Sequence, residues 1–245
     1  MDFQNVPMSH QGVTSIEQSF KLCMEAFRNG YTETRRLKEE SRFALPFSLE
    51  QFKAMLAGCA AGIMAERNVY GQFIFDDHNT PVIEELYKYL RLDNSFHGDL
   101  NKGIMLVGKY GCGKTLILQS LMHVYNTVIR TMNVRKPIFE FQKSTHLQRI
   151  LLAKGIECYA KRPLLIDELG REPKQVMDFG NEKSPLIELL CDRYDRGAWT
   201  MATSNFTLDT LSSDTHYGRM TGDRLSAMFN IVELKGNSKR DPLQI

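Results

Sequence analysis

The chain is poor in paired cysteine, in long apolar runs and in charge of one sign, and each absence removes a class of function. Its five cysteines, Cys23, Cys59, Cys112, Cys158 and Cys191, are scattered singly. An odd number with no CxxC pair argues against a disulfide framework and against a zinc knuckle, and a reducing cytoplasm fits best. The longest low-polarity run, Ala54 to Ala65, holds two glycines and is closed by Lys53 and Glu66. A membrane span needs roughly 20 apolar residues, so none is expected. Residues 1–13 carry neither a basic nor an apolar stretch, which speaks against a signal peptide. The net charge is only +2. This is not the balance of a histone-like protein, so nucleic-acid binding needs a local patch or a ring of subunits. No internal repeat or low-complexity segment is present.

What is present is the composition of a soluble globular protein, 42% hydrophobic and 24% charged over 245 residues. That length suits one large domain, or a core domain with an appendage. The early part reads as helical. Ser15 with Gln18 makes a capping box, Ile16, Phe20, Cys23 and Phe27 follow at helical spacing, and Gly30 is placed to close the helix. Tyr31 to Arg42 is polar, a solvated helix or a linker. Ser48 with Gln51 repeats the box before a second stripe, Phe52, Leu56, Cys59 and Ile63. Two readings stay open here, a small helical bundle or a protein-docking module. Thr80 and Pro81 open a further helix whose Ile83, Leu86 and Leu90 face inward. A polar loop, Asp93 to Lys102, follows it.

Beyond residue 95 short apolar runs alternate with amphipathic helices, the pattern of a parallel α/β sheet. The expected strands are Ile104–Val107, Ile138–Phe141, Leu164–Asp167, Trp199–Thr203 and Ile231–Leu234. The expected helices are about Lys114–Tyr125, Thr145–Leu152, Pro185–Tyr194 and Thr215–Met228.

The segment Gly108-Lys109-Tyr110-Gly111-Cys112-Gly113-Lys114-Thr115 matches GxxxxGK[ST] between an apolar strand and an amphipathic helix. Its glycines let successive N–H groups turn toward phosphate oxygens, and the helix N-terminus at Lys114 to Leu116 adds partial positive charge. Lys114 supplies a point charge at the β- and γ-phosphates of a nucleotide, and Thr115 offers a hydroxyl to Mg2+. Asp167 lies 52 residues after Thr115 and ends the apolar run Leu164-Leu165-Ile166. A strand end beside the phosphate loop makes Asp167 the magnesium-side carboxylate and Glu168 the base for the attacking water. Asn205 follows 38 residues on, at the tip of the next strand, where an amide can hold that water or the γ-phosphate.

Loop, acid pair, asparagine and an arginine-bearing helix, in that order, resemble the AAA+ ATPases. No LSGGQ-like or NKxD segment is present. Arg219 and Arg224 sit in Tyr217-Gly218-Arg219-Met220-Thr221-Gly222-Asp223-Arg224-Leu225. Five residues apart, they stand about 140° apart on a helix, so one can be packed while the other faces a neighbouring subunit. The run Leu164-Leu165-Ile166-Asp167-Glu168-Leu169-Gly170 is similar to the "LLIDDLG" of DnaC-type helicase loaders and IstB-type transposition helpers. Arg193-Tyr194-Asp195-Arg196-Gly197 with Thr203-Ser204-Asn205 resembles that family's "RYERG…TSN". Asp223-Arg224-Leu225 matches its "DRL", and Gly236-Asn237-Ser238-Lys239-Arg240 its closing "G-x-S-x-R". The resemblance covers roughly residues 70 to 240. The acid pair departs from the family's usual Asp-Asp.

The resemblance implies a P-loop three-layer sandwich with a central parallel sheet of five strands and no C-terminal lid. It implies an AAA+ domain over 71–245 and a helical partner-docking region over 1–70. It gives Arg224 the role of arginine finger, with Arg219 as the other candidate, and Arg240 that of second sensor. In this fold the segment Phe75–Asn79 borders the adenine, and Asn79 is read as a base contact or a helix cap. Gly180-Asn181 is left unassigned. Tyr159, Lys161 and Arg162 are read as a solvated loop or a pore-side DNA contact. The implied activity is Mg2+-dependent ATP hydrolysis in a cytoplasmic, self-assembling ring or spiral. Its partners would be single-stranded DNA and a hexameric replicative helicase. A transposition helper that coats duplex DNA and recruits a transposase is the alternative, and a nucleotide-gated adaptor with little hydrolysis is the third.

Overall fold

The computed structural model describes residues 16–178 and 181–239. It divides between Arg42 and Phe43 into two units. In the first, helix α1 (Ile16–Ser41) carries Ile16, Phe20 and Phe27 exposed along its length. It runs straight through Gly30, where a stop was expected. One helical glycine costs about 1 kcal/mol relative to alanine, and the stretch that follows is rich in the helix formers Glu, Arg, Lys and Leu. Ser15 and its capping box lie outside the described residues.

The second unit begins with α2 (Leu49–Ala65) and α3 (Thr80–Leu90). The expected capping box starts α2: Ser48 Oγ accepts from Gln51 N, and Ser48 N donates to Gln51 Oε1. Then come β1 (Gly103–Val107), α4 (Lys114–Thr131), β2 (Glu140–Lys143), α5 (Ser144–Lys154) and β3 (Leu164–Asp167). A two-stranded antiparallel ribbon, β4 (Val176–Asp178) with β5 (Asn181–Lys183), follows where only a loop was foreseen. Asn181 opens β5, and Gly180 lies outside the described residues. The chain continues through α6 (Pro185–Asp195), β6 (Thr200–Ser204), α7 (Leu208–Leu211), α8 (Arg219–Met228) and β7 (Phe229–Glu233).

Five strands form one parallel sheet in the order β2-β3-β6-β1-β7. Side chains alternate across a strand with period two. Ile104 and Leu106 therefore enter a core with α2, α3 and α4, while Met105 and Val107 enter another with α5, α6 and α8. Helices thus cover both faces, as in the expected three-layer sandwich. Helix α2 belongs to this unit, because Phe52, Leu56, Ala60 and Ile63 are buried and it packs on α4. The division consequently falls at residue 42, not 70.

Two further boundaries differ for physical reasons. Strand β2 begins at Glu140 rather than Ile138, because the N–H and C=O of Phe139 are already taken by the side chain of Asn126 at 2.8 Å each. Helix α8 begins at Arg219 rather than Thr215, after Gly218 at φ 80°. No helix among the described residues is long and apolar enough to cross a membrane.

Candidate active site

The loop from Gly108 to Gly113 joins β1, the fourth strand of the sheet order, to α4. Gly113 caps α4 at φ 103° with no side-chain bond to the helix N-terminus, so no side chain of its own competes for that turn's N–H groups. Gly111 has φ 79°, and a Cβ there would lie 2.2 Å from Ser238 Oγ. Only glycine meets both conditions. Cys112 is buried beneath the loop, whereas Tyr110 stands exposed.

Lys114 is 6% exposed. Its ammonium donates to Gly108 O at 2.8 Å, Lys109 O at 2.7 Å and Asn205 Oδ1 at 2.8 Å. Asp167 ends β3 and is also buried. Its Oδ1 accepts from Thr115 Oγ1 at 2.6 Å and from Thr203 Oγ1 at 2.7 Å. The hydroxyl of Thr203 accepts in turn from Glu168 N at 2.9 Å. Glu168 has φ 58°, a left-handed conformation that a residue with Cβ adopts at a cost. Ser144 Oγ donates to its carbonyl at 2.9 Å, so its backbone is held on both sides and only its side chain is left to move. That carboxylate accepts from Arg171 Nη1 at 2.6 Å.

Lys114, Thr115, Glu168, Thr203 and Asn205 line a cavity of about 940 Å³, within the size range of small-molecule sites. One wall is the run Tyr110 to Leu116, and a second is Glu168, Thr203 and Asn205. A third is Met64, Arg67 and Ile74, from the end of α2 and the chain after it. Asn237, Ser238 and Lys239 supply a fourth.

The candidates Lys114, Thr115, Asp167, Glu168 and Asn205 are therefore brought together. Asn79 is not among them. It is fully buried and occupies the N-cap position of α3 without a side-chain cap bond. Its amide donates to Ile74 O at 2.9 Å and accepts from Asp76 N at 3.1 Å. It shapes the loop that lines the cavity, does not cap α3 by its side chain, and is not itself among the lining residues. Arg224 lies over the ring of Tyr194, 5.7 Å from its centroid. Hydrogen bonding to Cys191 raises its pKa. Arg219 is exposed at the start of α8. Neither arginine lines the cavity of its own chain. Arg240 lies outside the described residues.

The segment before β3 is solvated at Lys161 and Arg162, which are exposed, but anchored at Tyr159. Tyr159 is buried and donates to Glu140 Oε1 at 2.6 Å, and Arg162 pairs with Glu140 at 2.9 Å. Burial and that carboxylate push the Tyr159 pKa to about 12. Sequence reasoning passed over Thr203, Ser144 and Arg171 as individual site residues. The one available signal was a hydroxyl near the end of a buried strand, which needs a partner.

Among the described residues no three His, Cys, Asp or Glu side chains gather as a metal cluster. Thr115 and Asp167 nevertheless offer two hard oxygens beside the cavity. Mg2+ commonly takes one or two protein oxygens and completes its shell with phosphates and water, so this donor set fits it.

No family model matches the chain, and no curated protein matches it. Solved structures do. DnaI is 21% identical, with a TM-score of 0.50, over 69% of this chain and 87% of that one. The DnaC helicase loader is 19% identical, with a TM-score of 0.46, over 66% and 93%. AMPPCP-bound DnaA from Aquifex aeolicus is 20% identical, with a TM-score of 0.46, over 69% of this chain and half of that one. With its glycine loop, its acid-tipped central strand and helices on both faces of a five-stranded parallel sheet, the chain has the α/β P-loop sandwich fold that it shares with DnaI.

Proposed function

We propose that the chain is a Mg2+-dependent ATPase that assembles into a ring or spiral and loads a hexameric replicative helicase onto single-stranded DNA. The observation that supports the chemistry is that Lys114, Thr115, Glu168 and Asn205 line one cavity, with Asp167 bonded to Thr115. The triphosphate lies against the loop N–H groups and the α4 N-terminus, and Lys114 gives up loop carbonyls for phosphate oxygens. Thr115 and Asp167 hold Mg2+, which neutralises phosphate charge when bound. Water attacks the γ-phosphorus, the bond from that phosphorus to the β,γ-bridging oxygen breaks, and Glu168 takes the proton. Asn205 orients the water or the γ-phosphate. Arg224 or Arg219 of a neighbouring copy completes the charge stabilisation, which makes hydrolysis depend on assembly.

The loader reading rests on the motif resemblance and on the fold shared with DnaI. The exposed apolar residues of α1 suit a docking helix. The test is ATPase turnover with and without single- and double-stranded DNA, sizing with a non-hydrolysable ATP analogue, and capture of a hexameric helicase by the full chain. ATP-dependent filaments on duplex DNA, without helicase capture, would replace the loader with a transposition helper. The Arg171–Glu168 pair favours one further reading, a nucleotide-gated adaptor, because the carboxylate that would serve as the base is already engaged by a guanidinium. Tight nucleotide binding with near-zero turnover, with or without DNA, identifies it.

A further inference from the structure

The segment after β7 takes no part in the chemistry above, yet it borders the same cavity. Leu234 N donates to Val107 O at 2.8 Å, which holds the chain against the end of β1. Ser238 then packs on Gly111, and Lys239 N donates to Gly111 O at 3.0 Å. The strap 236–239 is thereby anchored by its backbone to the phosphate loop. Its last described side chain reaches elsewhere: Lys239 Nζ pairs with Asp76 Oδ2 at 2.5 Å.

Asp76 begins the tight loop before α3. Its Oδ1 accepts the N–H groups of His78 at 3.0 Å and Asn79 at 2.8 Å, leaving Oδ2 for the strap. Burial pushes its pKa up, but the Lys239 bond and the two backbone N–H bonds outweigh burial and hold it below the usual value. It is therefore ionised at neutral pH. Gly236 packs near His78, so strap and loop meet at two points. Asp76, His78, Asn237, Ser238 and Lys239 all line the cavity. Two walls from opposite ends of this unit are thus joined by one ion pair.

We propose that the Asp76–Lys239 pair is a clasp that closes the strap over the mouth of the nucleotide cavity and sets the rate at which nucleotide enters and leaves. The proposal rests on the nucleotide-binding reading of the cavity. The strap stays attached through Gly111 when the pair breaks, so the clasp opens without unravelling β7. A bar across the mouth slows entry and exit alike. Its loss raises both rate constants and leaves Kd nearly unchanged. A direct Lys239 contact to the ligand would instead raise Kd and leave the association rate constant alone.

Stopped-flow binding of fluorescent ATP and ADP analogues to the full chain separates these cases. The variants are Asp76→Asn, which keeps the loop's acceptor oxygen, and Lys239→Met. Association and dissociation rate constants are both expected to rise about fivefold in each single variant, the range of a partly exposed ion pair. High salt should bring the wild type toward those values and leave the single variants unchanged. Unchanged rate constants in both single variants overturn the clasp, and so does a raised Kd at constant association rate. A wild-type chain that binds neither analogue overturns the nucleotide reading itself, and with it the clasp.

Discussion

The two ends of the β3–β6 strand pair each hold a buried cation, and the two cations have opposite fates. At the amino end Arg193 is 0% exposed. It donates to Thr200 Oγ1 at 3.0 Å, Arg162 O at 3.0 Å, Trp199 O at 2.7 Å and also to Tyr159 O. Burial pulls its pKa down to about 9, so it remains cationic at neutral pH. Its partners are a strand hydroxyl and three backbone carbonyls, and no ligand replaces them. At the carboxyl end Lys114 also bonds to oxygens, but it lines a cavity, and one of its acceptors is the side chain of Asn205. Burial of charge therefore does not mark function by itself. What marks it is whether the partners of the charge can be exchanged for a ligand.

The largest effect that tests this contrast falls at the carboxyl end. Glu168→Gln keeps the size of the side chain and removes the base. Steady-state ATP turnover is expected to fall by about 10²–10⁴-fold, the range for loss of a general base. Nucleotide affinity and ATP-dependent assembly should persist. Unchanged turnover would remove Glu168 from the chemistry and leave the two ends equivalent.

At the amino end the expected loss is of stability alone. Arg193→Met leaves buried oxygens without donors, at about 1–3 kcal/mol for such a group, so a loss of about 3 kcal/mol is expected in urea unfolding. The folded fraction should bind nucleotide as the wild type does. Weakened binding at unchanged stability would make Arg193 a functional residue and break the comparison.

Much of the carboxyl end was legible in the sequence, because its chemistry is local. Gly108 to Thr115 carries its own spacing, and β3 occupies the foreseen Leu164–Asp167 because an apolar run ending in an acid states both the strand and its edge. Thr203 was not legible as a bridge. Its hydroxyl meets Asp167 only once the register pairs Ile166 with Ala202, which sets the next residues beside one another. The apolar stripe of α2 showed that one face is buried without showing that α4 buries it. Asn79 sat at a helix start, where a cap is the usual reading. What its amide does depends on the turn through Ile74 and Asp76, which spacing does not encode. Arg193 entered the sequence reading only as part of the motif Arg193-Tyr194-Asp195-Arg196-Gly197, since nothing local announces four oxygens drawn from two other segments and a strand.

The register-dependent bridge gives an intermediate effect. Thr203→Val preserves shape and removes the hydroxyl that joins Asp167 Oδ1 to Glu168 N. Losing it frees the strained backbone of Glu168 and one bond to the buried carboxylate. Turnover is expected to fall about tenfold, the equivalent of roughly 1.4 kcal/mol, with fold stability lowered by a similar amount. Thr203→Ser should recover most of the rate, because it restores the oxygen. If valine and serine behave alike, the hydroxyl is not the connection between the two acids.

The smallest effect concerns Arg171, whose side chain is 60% exposed where it pairs with Glu168. A pair that open to water is weak, so Arg171→Ala is expected to change turnover by no more than about fivefold. The direction is the informative part. The guanidinium engages the carboxylate oxygen, so its removal frees that oxygen for water and should raise basal hydrolysis in the absence of DNA. Added salt should raise the wild-type rate in the same way and leave the variant unchanged. Adding Arg171→Ala to Glu168→Gln should change nothing further, since the arginine acts through the acid it holds. A fall in basal turnover would instead place Arg171 with Lys114, among the cations whose partner in the working state is phosphate.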